Sequence, residues 1–416
     1  MSIGSVTIVL GGKKRMANPN EMLAADRLGK WFTPNKPIDF PEYLSGRMGL
    51  LYRIKDALNT QGQHVILWGD RGTGKTSLAK VIAFSIQEPN RKDGKRVIMV
   101  SADSVDTFSS LWHKVFQEVL LAQRQLGFTQ QNAAIVVGNL DVGETIKSPN
   151  DVRLMIKSFS FPVVIIIDEF DRMPSTTDAK TLMADTIKLF SDMNVDASIM
   201  LVGVAESIDE LFAEHASISR NIAQIQVEPM ENAELAEIIQ KGYSNSGLAY
   251  ENGIDAKIAM LSQGYPHYTH LLGLWAGRKA IEAHHTTVTF DDLDQAIPFT
   301  LDNVAGGIRH EYDTATDSHQ PDNLFKDVLL ACAMAEKDHR GRFQVKALRK
   351  PLRIILNRPK LEAIAYQGHL AKFCETKRGA VLKRTGLKHN YWWQFTNPQL
   401  IPYIKLDGIK RGKAVT

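Results

Sequence analysis

Apolar positions along the chain form short continuous runs that alternate with stretches of helical spacing. The clearest run covers residues 163–167, where five consecutive β-branched residues predict a fully buried strand. Further strands are predicted at residues 65–68, 95–101, 198–204 and 223–227. Because helical segments separate these runs, residues 37–227 are predicted to form an α/β domain with a doubly wound parallel sheet.

The pattern changes after residue 227. Residues 228–310 have helical spacing throughout and predict a small helical domain, whereas residues 1–36 lack clear periodicity and are assigned to an N-terminal arm. Residues 311–416 have the order of elements expected of a winged helix. The predicted elements are helices at 324–335, 345–355 and 361–374, an extended stretch at 342–345, and strands at 380–384 and 391–396.

A glycine-rich sequence, G-D-R-G-T-G-K-T-S, follows the first strand directly. Its glycines allow a tight turn in which backbone N–H groups point at phosphate oxygens. Lys75 is expected to reach the β- and γ-phosphates of ATP, and the Thr76 hydroxyl to ligate Mg²⁺. The helix that begins near Thr76 adds its positive N-terminus to the anion site. The residues expected to bind the nucleotide are Gly69, Asp70, Arg71, Gly72, Thr73, Gly74, Lys75, Thr76 and Ser77.

Two carboxylates, Asp168 and Glu169, follow the most apolar strand. In a phosphate-loop enzyme, Asp168 is expected to hold the Mg²⁺ shell, and Glu169 to orient and polarise the attacking water. Together with the glycine-rich loop, this pair predicts an ATP hydrolase with Lys75 and Glu169 as catalytic residues.

Composition bounds the class of protein. The 416 residues predict two or three domains, and a hydrophobic content of 44% is enough to bury a full core. No apolar run approaches the roughly 20 residues that span a bilayer, and residues 1–15 are too polar for a signal peptide. The cysteines, Cys332 and Cys374, are interpreted as reduced core residues of a cytoplasmic protein without membrane contact.

Charge is strongly segregated along the chain. Residues 340–416 hold 18 Lys and Arg against 3 Asp and Glu, a net charge of +15, whereas the chain as a whole carries only +4. The other residues therefore have a net charge of −11. Segregation of this size indicates a polyanion partner, and double-stranded DNA fits a winged helix best.

Candidate DNA contacts lie on the third helix of the winged helix and beyond it. The third helix carries no Arg for bidentate guanine contacts, which weakens any expectation of sequence-specific readout. The residues nominated to face DNA are Gln367, His369 and Lys372 on the helix, Lys377 and Arg378 after it, and Lys383, Arg384 and Lys388 on the wing.

Taken in order, these motifs resemble the AAA+ superfamily, and within it the origin-recognition initiator clade and its bacterial relatives, over roughly residues 37–416. The resemblance implies that Gly46 and Arg47, in the sequence F-P-E-Y-L-S-G-R, lie beside adenine. It also implies that Arg220, which ends H-A-S-I-S-R, reaches an ATP site of a neighbouring subunit as an arginine finger. Self-association through the ATP sites is therefore expected.

The sequence departs from that resemblance at two places. Where many relatives carry Asn or Thr as a γ-phosphate sensor, the sequence reads A-E-S, so either Glu206 or Ser207 serves or the role is absent. In S-Q-G-Y-P-H, Pro266 and His267 are expected at the nucleotide, but His267 stands where initiators often have a sensing Arg, and histidine is a weaker, pH-dependent cation.

Three functional hypotheses remain open. The first is an ATP-switched DNA-binding protein. The second is a signalling ATPase of the STAND type, in which glycine-x-proline motifs are also seen, controlling a separate effector, with anti-phage defence as one setting. The third is a loader or regulator for a transposase or helicase. Residues 128–150 are expected to form either an inserted hairpin or a long loop.

Overall fold

The computed structural model describes most of the chain, as two compact units. One unit is Lys36–Pro229, and the other combines the residues before Lys36 with Met230–Thr416. The residues described are 19–87, 94–125, 146–174, 178–204, 220–318, 323–358, 360, 366–387 and 390–413, without the side chains of 19–21 and 122–125. The predictions for 128–145, Glu206, Ser207 and Lys388 lie outside them.

The helices and strands of the described residues are numbered in chain order. The helices are α1 (Pro19–Trp31), α2 (Met48–Asn59), α3 (Lys75–Ile86), α4 (Phe108–Gln125), α5 (Pro149–Lys157), α6 (Ala179–Asp192), α7 (Asn232–Ser246), α8 (Ile254–Ser262), α9 (Pro266–Glu282), α10 (Phe290–Asn303), α11 (Gly306–Thr316), α12 (Phe325–Met334), α13 (Arg349–Leu356), α14 (Gln367–Phe373) and α15 (Leu400–Lys410). The strands are β1 (His64–Gly69), β2 (Arg96–Ser101), β3 (Val163–Asp168), β4 (Ala197–Val204), β5 (Ile222–Gln226), β6 (Ala249–Tyr250), β7 (Thr287–Val288), β8 (Arg342–Phe343), β9 (Leu382–Thr385) and β10 (Trp392–Phe395).

The unit Lys36–Pro229 is built on a parallel sheet of order β2-β3-β4-β1-β5. Every residue of β3 is buried, as the β-branched run predicts, and the five predicted strands are confirmed. Helices cover both faces of the sheet, and a separate hydrophobic cluster lies between the helices and the sheet on each side. All strands point the same way, so the carboxyl ends of β1 and β3 lie at one edge, separated by β4.

The second unit includes residues 19–35, which are the described part of the segment predicted to be an N-terminal arm. Pro19–Trp31 form helix α1, which packs on α7 and α9. The buried Phe32 ring fits beside two helical glycines, since a Cβ added at Gly242 or Gly273 would come within 2.2 or 2.5 Å of that ring. The local sequence did not predict α1, because the helices that it packs against lie some two hundred residues further along the chain.

The helical domain and the winged helix share one hydrophobic core. The predicted boundary between residues 310 and 311 falls inside α11, and the Tyr268 hydroxyl on α9 donates a hydrogen bond to the carbonyl of Gln399, 2.9 Å away. The two predicted domains therefore belong to one compact unit.

The winged helix has the predicted order of elements with altered bounds. Its antiparallel sheet has the order β8-β10-β9. The second predicted helix begins as a 3₁₀ turn, Val345–Leu348, before α13. The third helix is described from Gln367 as α14, and residues 361–365 of the prediction lie outside the described residues. In the described ranges, no helix combines the length and the apolar character needed to cross a bilayer.

Candidate functional site

The glycine-rich loop connects β1 to α3 through backbone that only glycine adopts readily. Gly69, Gly72 and Gly74 have φ values of 145°, 82° and 92°. At Gly69 a Cβ atom would also lie 2.4 Å from the carbonyl oxygen of Val227, so the loop cannot carry a side chain there. The glycines predicted from the motif are therefore required by the conformation of the loop.

Lys75 folds back over this loop. Its Nζ donates hydrogen bonds to the carbonyl oxygens of Gly69 and Asp70 at 2.9 and 2.7 Å, and the side chain is buried. Desolvation lowers the pKa of Lys75 to about 8, against the opposing effect of the carboxylates of Asp171, Asp70 and Asp168. A cation held in this way is available to phosphate oxygens, which are stronger acceptors than peptide carbonyls.

Asp168, the last residue of β3, lies next to Thr76 at the start of α3. Burial raises the pKa of Asp168, while hydrogen bonds from the Thr76 side chain and the Glu169 backbone N–H oppose that rise. The contact brings together the two predicted Mg²⁺ ligands. Within the described ranges no group of three or more His, Cys, Asp and Glu side chains could hold a metal, so Mg²⁺ here would complete its oxygen shell from phosphate and water, as it usually does.

Glu169 occupies a left-handed backbone conformation, with φ 54°, directly after the strand. Its carboxylate is half exposed and accepts a hydrogen bond from Arg172 Nη1 at 2.7 Å. The predicted water-polarising base is therefore paired with a cation in this conformation.

Asp171 is a site residue that the sequence analysis did not single out. Its Oδ1 accepts a hydrogen bond from the backbone N–H of Val204, at the end of β4, at 2.8 Å. A Cβ at Gly203 would lie 3.1 Å from the same oxygen, so glycine there makes room for the carboxylate. The Asp171 carboxylate also opposes the lowering of the Lys75 pKa. The signal was present in D-E-F-D, where a third acid follows the pair.

The remaining loop residues support the turn. Thr73 Oγ1 donates to the Asp70 carbonyl at 3.0 Å, and Ser77 Oγ accepts from the Ile38 backbone N–H at 3.1 Å. Arg71 is exposed at the tip of the loop. Ser77 therefore joins α3 to the segment that leads into α2.

Gly46 and Arg47 lie just before α2, both with a left-handed φ of 62°. The Arg47 guanidinium donates a hydrogen bond to the carbonyl of Glu228, which follows β5. This contact holds the N-terminal motif against the end of β5, the strand that adjoins β1, near the glycine-rich loop.

Arg220 is exposed and precedes β5. Ile222, the first residue of β5, pairs with His64, the first residue of β1. Arg220 is thus at the amino end of the sheet, and the glycine-rich loop is at the carboxyl end. The six residues of β1 separate the two edges by about 17 Å, at about 3.3 Å per residue step. Arg220 therefore lies far from the phosphate loop of its own chain.

Pro266 is the first residue of α9, and His267 follows it. The His267 Nδ1 lies 2.9 Å from the Pro34 carbonyl, to which it can only donate, so Nε2 is the unprotonated nitrogen of the neutral ring. Desolvation lowers the pKa of His267. In this conformation His267 is a neutral hydrogen-bond donor to Pro34, which lies just before the unit Lys36–Pro229 in the chain.

The nominated residues of the winged helix differ in how they are engaged. Arg378 Nη1 donates to the carbonyls of Ala315 and Asp317 at 2.9 and 2.8 Å, and its Cζ lies 3.7 Å from the centre of the Phe325 ring. His369 also contacts the Phe325 ring, and burial lowers its pKa. Both side chains are thus part of the packing around α12.

The other nominated residues are nearer to solvent. Lys377 Nζ forms an exposed ion pair with Glu375 at 2.9 Å. Lys372 is exposed with its Nζ 5.5 Å from the Phe325 ring centre, and the exposed Arg384 stacks on the Tyr391 ring at 4.5 Å. Lys383 and Gln367 are half-buried.

A parallel sheet with a glycine-rich loop after β1, and with Lys75, Thr76 and Asp168 together at its carboxyl edge, defines a P-loop ATPase domain. Residues 65–229 match the sequence family described as "ATPase family associated with various cellular activities (AAA)" and form an AAA ATPase domain. No curated protein sequence matches the chain significantly.

Solved structures with low sequence identity have a similar fold. A Walker-type ATPase of Pyrococcus abyssi is 14% identical with a TM-score of 0.53, over 90% of this chain and 99% of that chain. The ORC2 protein of Aeropyrum pernix is 13% identical with a TM-score of 0.49, over 92% of this chain and 98% of that chain. The predicted fold class, a P-loop AAA+ core with a helical lid domain and a C-terminal winged helix, is confirmed.

Proposed function

We propose that this ATPase is a switch that couples ATP binding and hydrolysis to self-association and to the binding of double-stranded DNA. Lys75, Thr76 and Asp168 support the nucleotide part of the proposal, since they bring a phosphate-binding cation and two metal-ligating oxygens together. The segregation of charge carries the DNA part, because +15 is concentrated in residues 340–416 of a chain whose other residues are acidic.

The residues of the site suit ATP hydrolysis with Mg²⁺. On nucleotide binding the Lys75 ammonium exchanges the Gly69 and Asp70 carbonyls for phosphate oxygens. Thr76 and Asp168 would hold Mg²⁺, which supplies positive charge to the phosphates when bound. Glu169, once released from Arg172, accepts a hydrogen bond from the water that attacks the γ-phosphorus as the bond to the bridging oxygen breaks.

Self-association is proposed because Arg220 lies at the edge of the sheet opposite its own phosphate loop. A guanidinium there serves ATP chemistry only at the site of another copy, where it would neutralise charge on the γ-phosphate. Gly46 and Arg47 are proposed to flank the adenine of the bound nucleotide, and Pro266 and His267 to sense its phosphates.

The first experiment is size-exclusion chromatography with light scattering on the full chain, with ATP, with ADP and without nucleotide, in the presence and absence of duplex DNA. We expect an oligomer on DNA only with ATP, and its loss in Arg220→Ala. The matched control is Arg53→Ala, which removes an exposed arginine from α2 of the same unit and is expected to assemble normally.

The outcome distinguishes the remaining hypotheses. A monomer that ignores DNA under all three conditions would contradict the switch, and would favour a closed signalling ATPase that controls a separate effector. Assembly that needs an added transposase or helicase would favour a loader. A truncation after residue 310 is a poor probe, since it cuts α11 and opens the core shared with the winged helix.

A further inference from the structure

We infer that duplex DNA contacts the winged helix chiefly through the second helix, along a basic face that no motif assigns, and not through α14. This inference rests on the proposed DNA binding. The second-helix basic face is defined here as Lys346, Arg349, Lys350, Arg353, Arg358 and Lys360.

The spacing of the four cations in the helical segment puts them on one side of it. Lys346, Lys350 and Arg353 follow the i, i+4, i+7 pattern, from the 3₁₀ turn into α13. Lys346 and Lys350 are exposed, as are Arg358 and Lys360 just beyond the helix. The opposite side is held by packing, since Leu348, Leu352 and Ile355 are buried.

This stretch of the sequence is basic and contains no acidic residue. Between Asp338 and Glu362 the sequence contains no Asp or Glu, so residues 343–361 carry a charge of +6. A soluble surface usually mixes both signs. An acid-free basic stretch of this length therefore indicates a surface that binds a polyanion.

The positions of the cations are also unfavourable for the helix itself. Arg349 and Lys350 lie in the first turn of α13, where the helix dipole is positive and acidic residues are preferred. These cations weaken the isolated helix, and phosphate groups at the same place would relieve the repulsion.

Several cations of α14 and the wing have contacts within the protein. Arg378 donates to two carbonyls of the α11 end, and Lys377 pairs with Glu375. Arg384 stacks on the Tyr391 ring, and His369 packs against Phe325 with a lowered pKa. The seven residues of α14 contain a single Lys or Arg, Lys372.

The basic face has the dimensions of a phosphate contact. The seven residue steps from Lys346 to Arg353 rise about 10 Å along a helix, and duplex DNA presents a charge about every 1.7 Å of its axis. Lysine and arginine at this spacing fix position on the backbone without reading bases, so we expect little sequence preference.

The test compares two matched triple variants of the full chain. Lys346→Gln/Lys350→Gln/Arg358→Gln removes two lysines and one arginine from the basic face, and Lys372→Gln/Lys377→Gln/Arg384→Gln removes the same set from α14 and the wing. Affinity for a labelled duplex of about 30 base pairs is measured by fluorescence anisotropy with ATP over a range of salt concentrations.

The first variant is expected to bind about a hundredfold more weakly near 0.15 M salt and to lose about 2.7 from the log–log salt slope, because each phosphate contact contributes about 0.9. The second is expected to bind within about threefold of wild type. Lys346→Arg/Lys350→Arg should bind normally, and equal thermal unfolding of all variants excludes misfolding.

The opposite ranking of the two triple variants would overturn the inference and return DNA binding to α14. A wild-type chain that binds no duplex under any nucleotide condition would instead contradict the proposed function. Binding of the wild type to anionic lipid vesicles or acidic protein alone, lost in the first variant, would also overturn the inference and assign the basic face to that partner.

Discussion

The buried ammonium of Lys75 should destabilise the nucleotide-free protein, which Lys75→Met tests directly. Methionine has nearly the same length and is neutral, so it fills the site without a charge. Desolvation lowers the pKa of Lys75 from 10.5 to about 8. Because 1 pKa unit corresponds to about 1.4 kcal/mol, keeping Lys75 charged in the folded state costs about 3 kcal/mol at pH 7. The methionine variant also loses the hydrogen bonds to the Gly69 and Asp70 carbonyls, which offsets part of this effect. We therefore expect the free energy of unfolding to increase by about 1–3 kcal/mol in Lys75→Met.

The sign of the pH dependence follows from the same pKa values. Between pH 8 and 10.5 folded Lys75 releases a proton that the unfolded chain retains. The free energy of unfolding of the wild type therefore rises with pH through this window, relative to the variant, and the advantage of Lys75→Met should disappear near pH 10.5. Other lysines titrate in both proteins, so the difference between the two isolates Lys75.

Urea unfolding of the wild type and Lys75→Met, followed by circular dichroism without nucleotide, measures the effect at about pH 7 and about pH 10. Lys80→Met on the same helix is the control, since Lys80 is only half-buried, and it should change stability by less than about 0.5 kcal/mol. A Lys75→Met protein that is less stable than wild type at pH 7, or equally favoured at both pH values, would refute the argument from desolvation.

Two further predictions follow from contacts outside the sequence motif. Asp171→Ala removes the acceptor for the Val204 N–H at the end of β4. It should lower the kcat for ATP hydrolysis about tenfold while KM stays close to wild type. Asp171→Asn keeps an oxygen acceptor and should recover part of the rate. An unchanged kcat in steady-state assays of Asp171→Ala would exclude a positioning role. Phe32→Ala empties the space beside Gly242 and Gly273 and should cost about 3–5 kcal/mol in urea unfolding, whereas a loss under about 1 kcal/mol would mean that α1 is not packed there.

The central sheet and its loop were predictable because their signals are local. A run of five β-branched residues identifies β3, and the glycines of the loop are needed for their own backbone angles. The pairing of Asp168 with Thr76 also follows, since parallel strands bring their carboxyl ends to one edge.

What the sequence could not provide depends on contacts between distant residues. Helix α1 has little periodicity of its own, and Phe32, the residue after it, packs beside glycines of α7 and α9 and against the rings of Tyr243 and His270. The Asp171 side chain, in the turn after β3, is held by the Val204 N–H at the end of β4. Arg378 was nominated for phosphate because it is basic, yet its partners are carbonyls at the end of α11. Charge alone did not distinguish these uses of a cation.

The motif G-Y-P-H-Y-T-H has a structural use that the resemblance did not suggest. The chain passes between its two compact units twice, at residues 35–36 and 229–230. The motif contacts both passages from within the second unit. The Gly264 carbonyl accepts from the Met230 N–H at 2.9 Å, His267 donates to the Pro34 carbonyl, and His270 accepts from the Thr33 N–H at 3.3 Å. Because the same unit contains the winged helix in one continuous core, a displacement applied at these two passages would move the basic face as part of a single body. The proposed coupling of ATP to DNA binding therefore requires no joint between the helical domain and the winged helix.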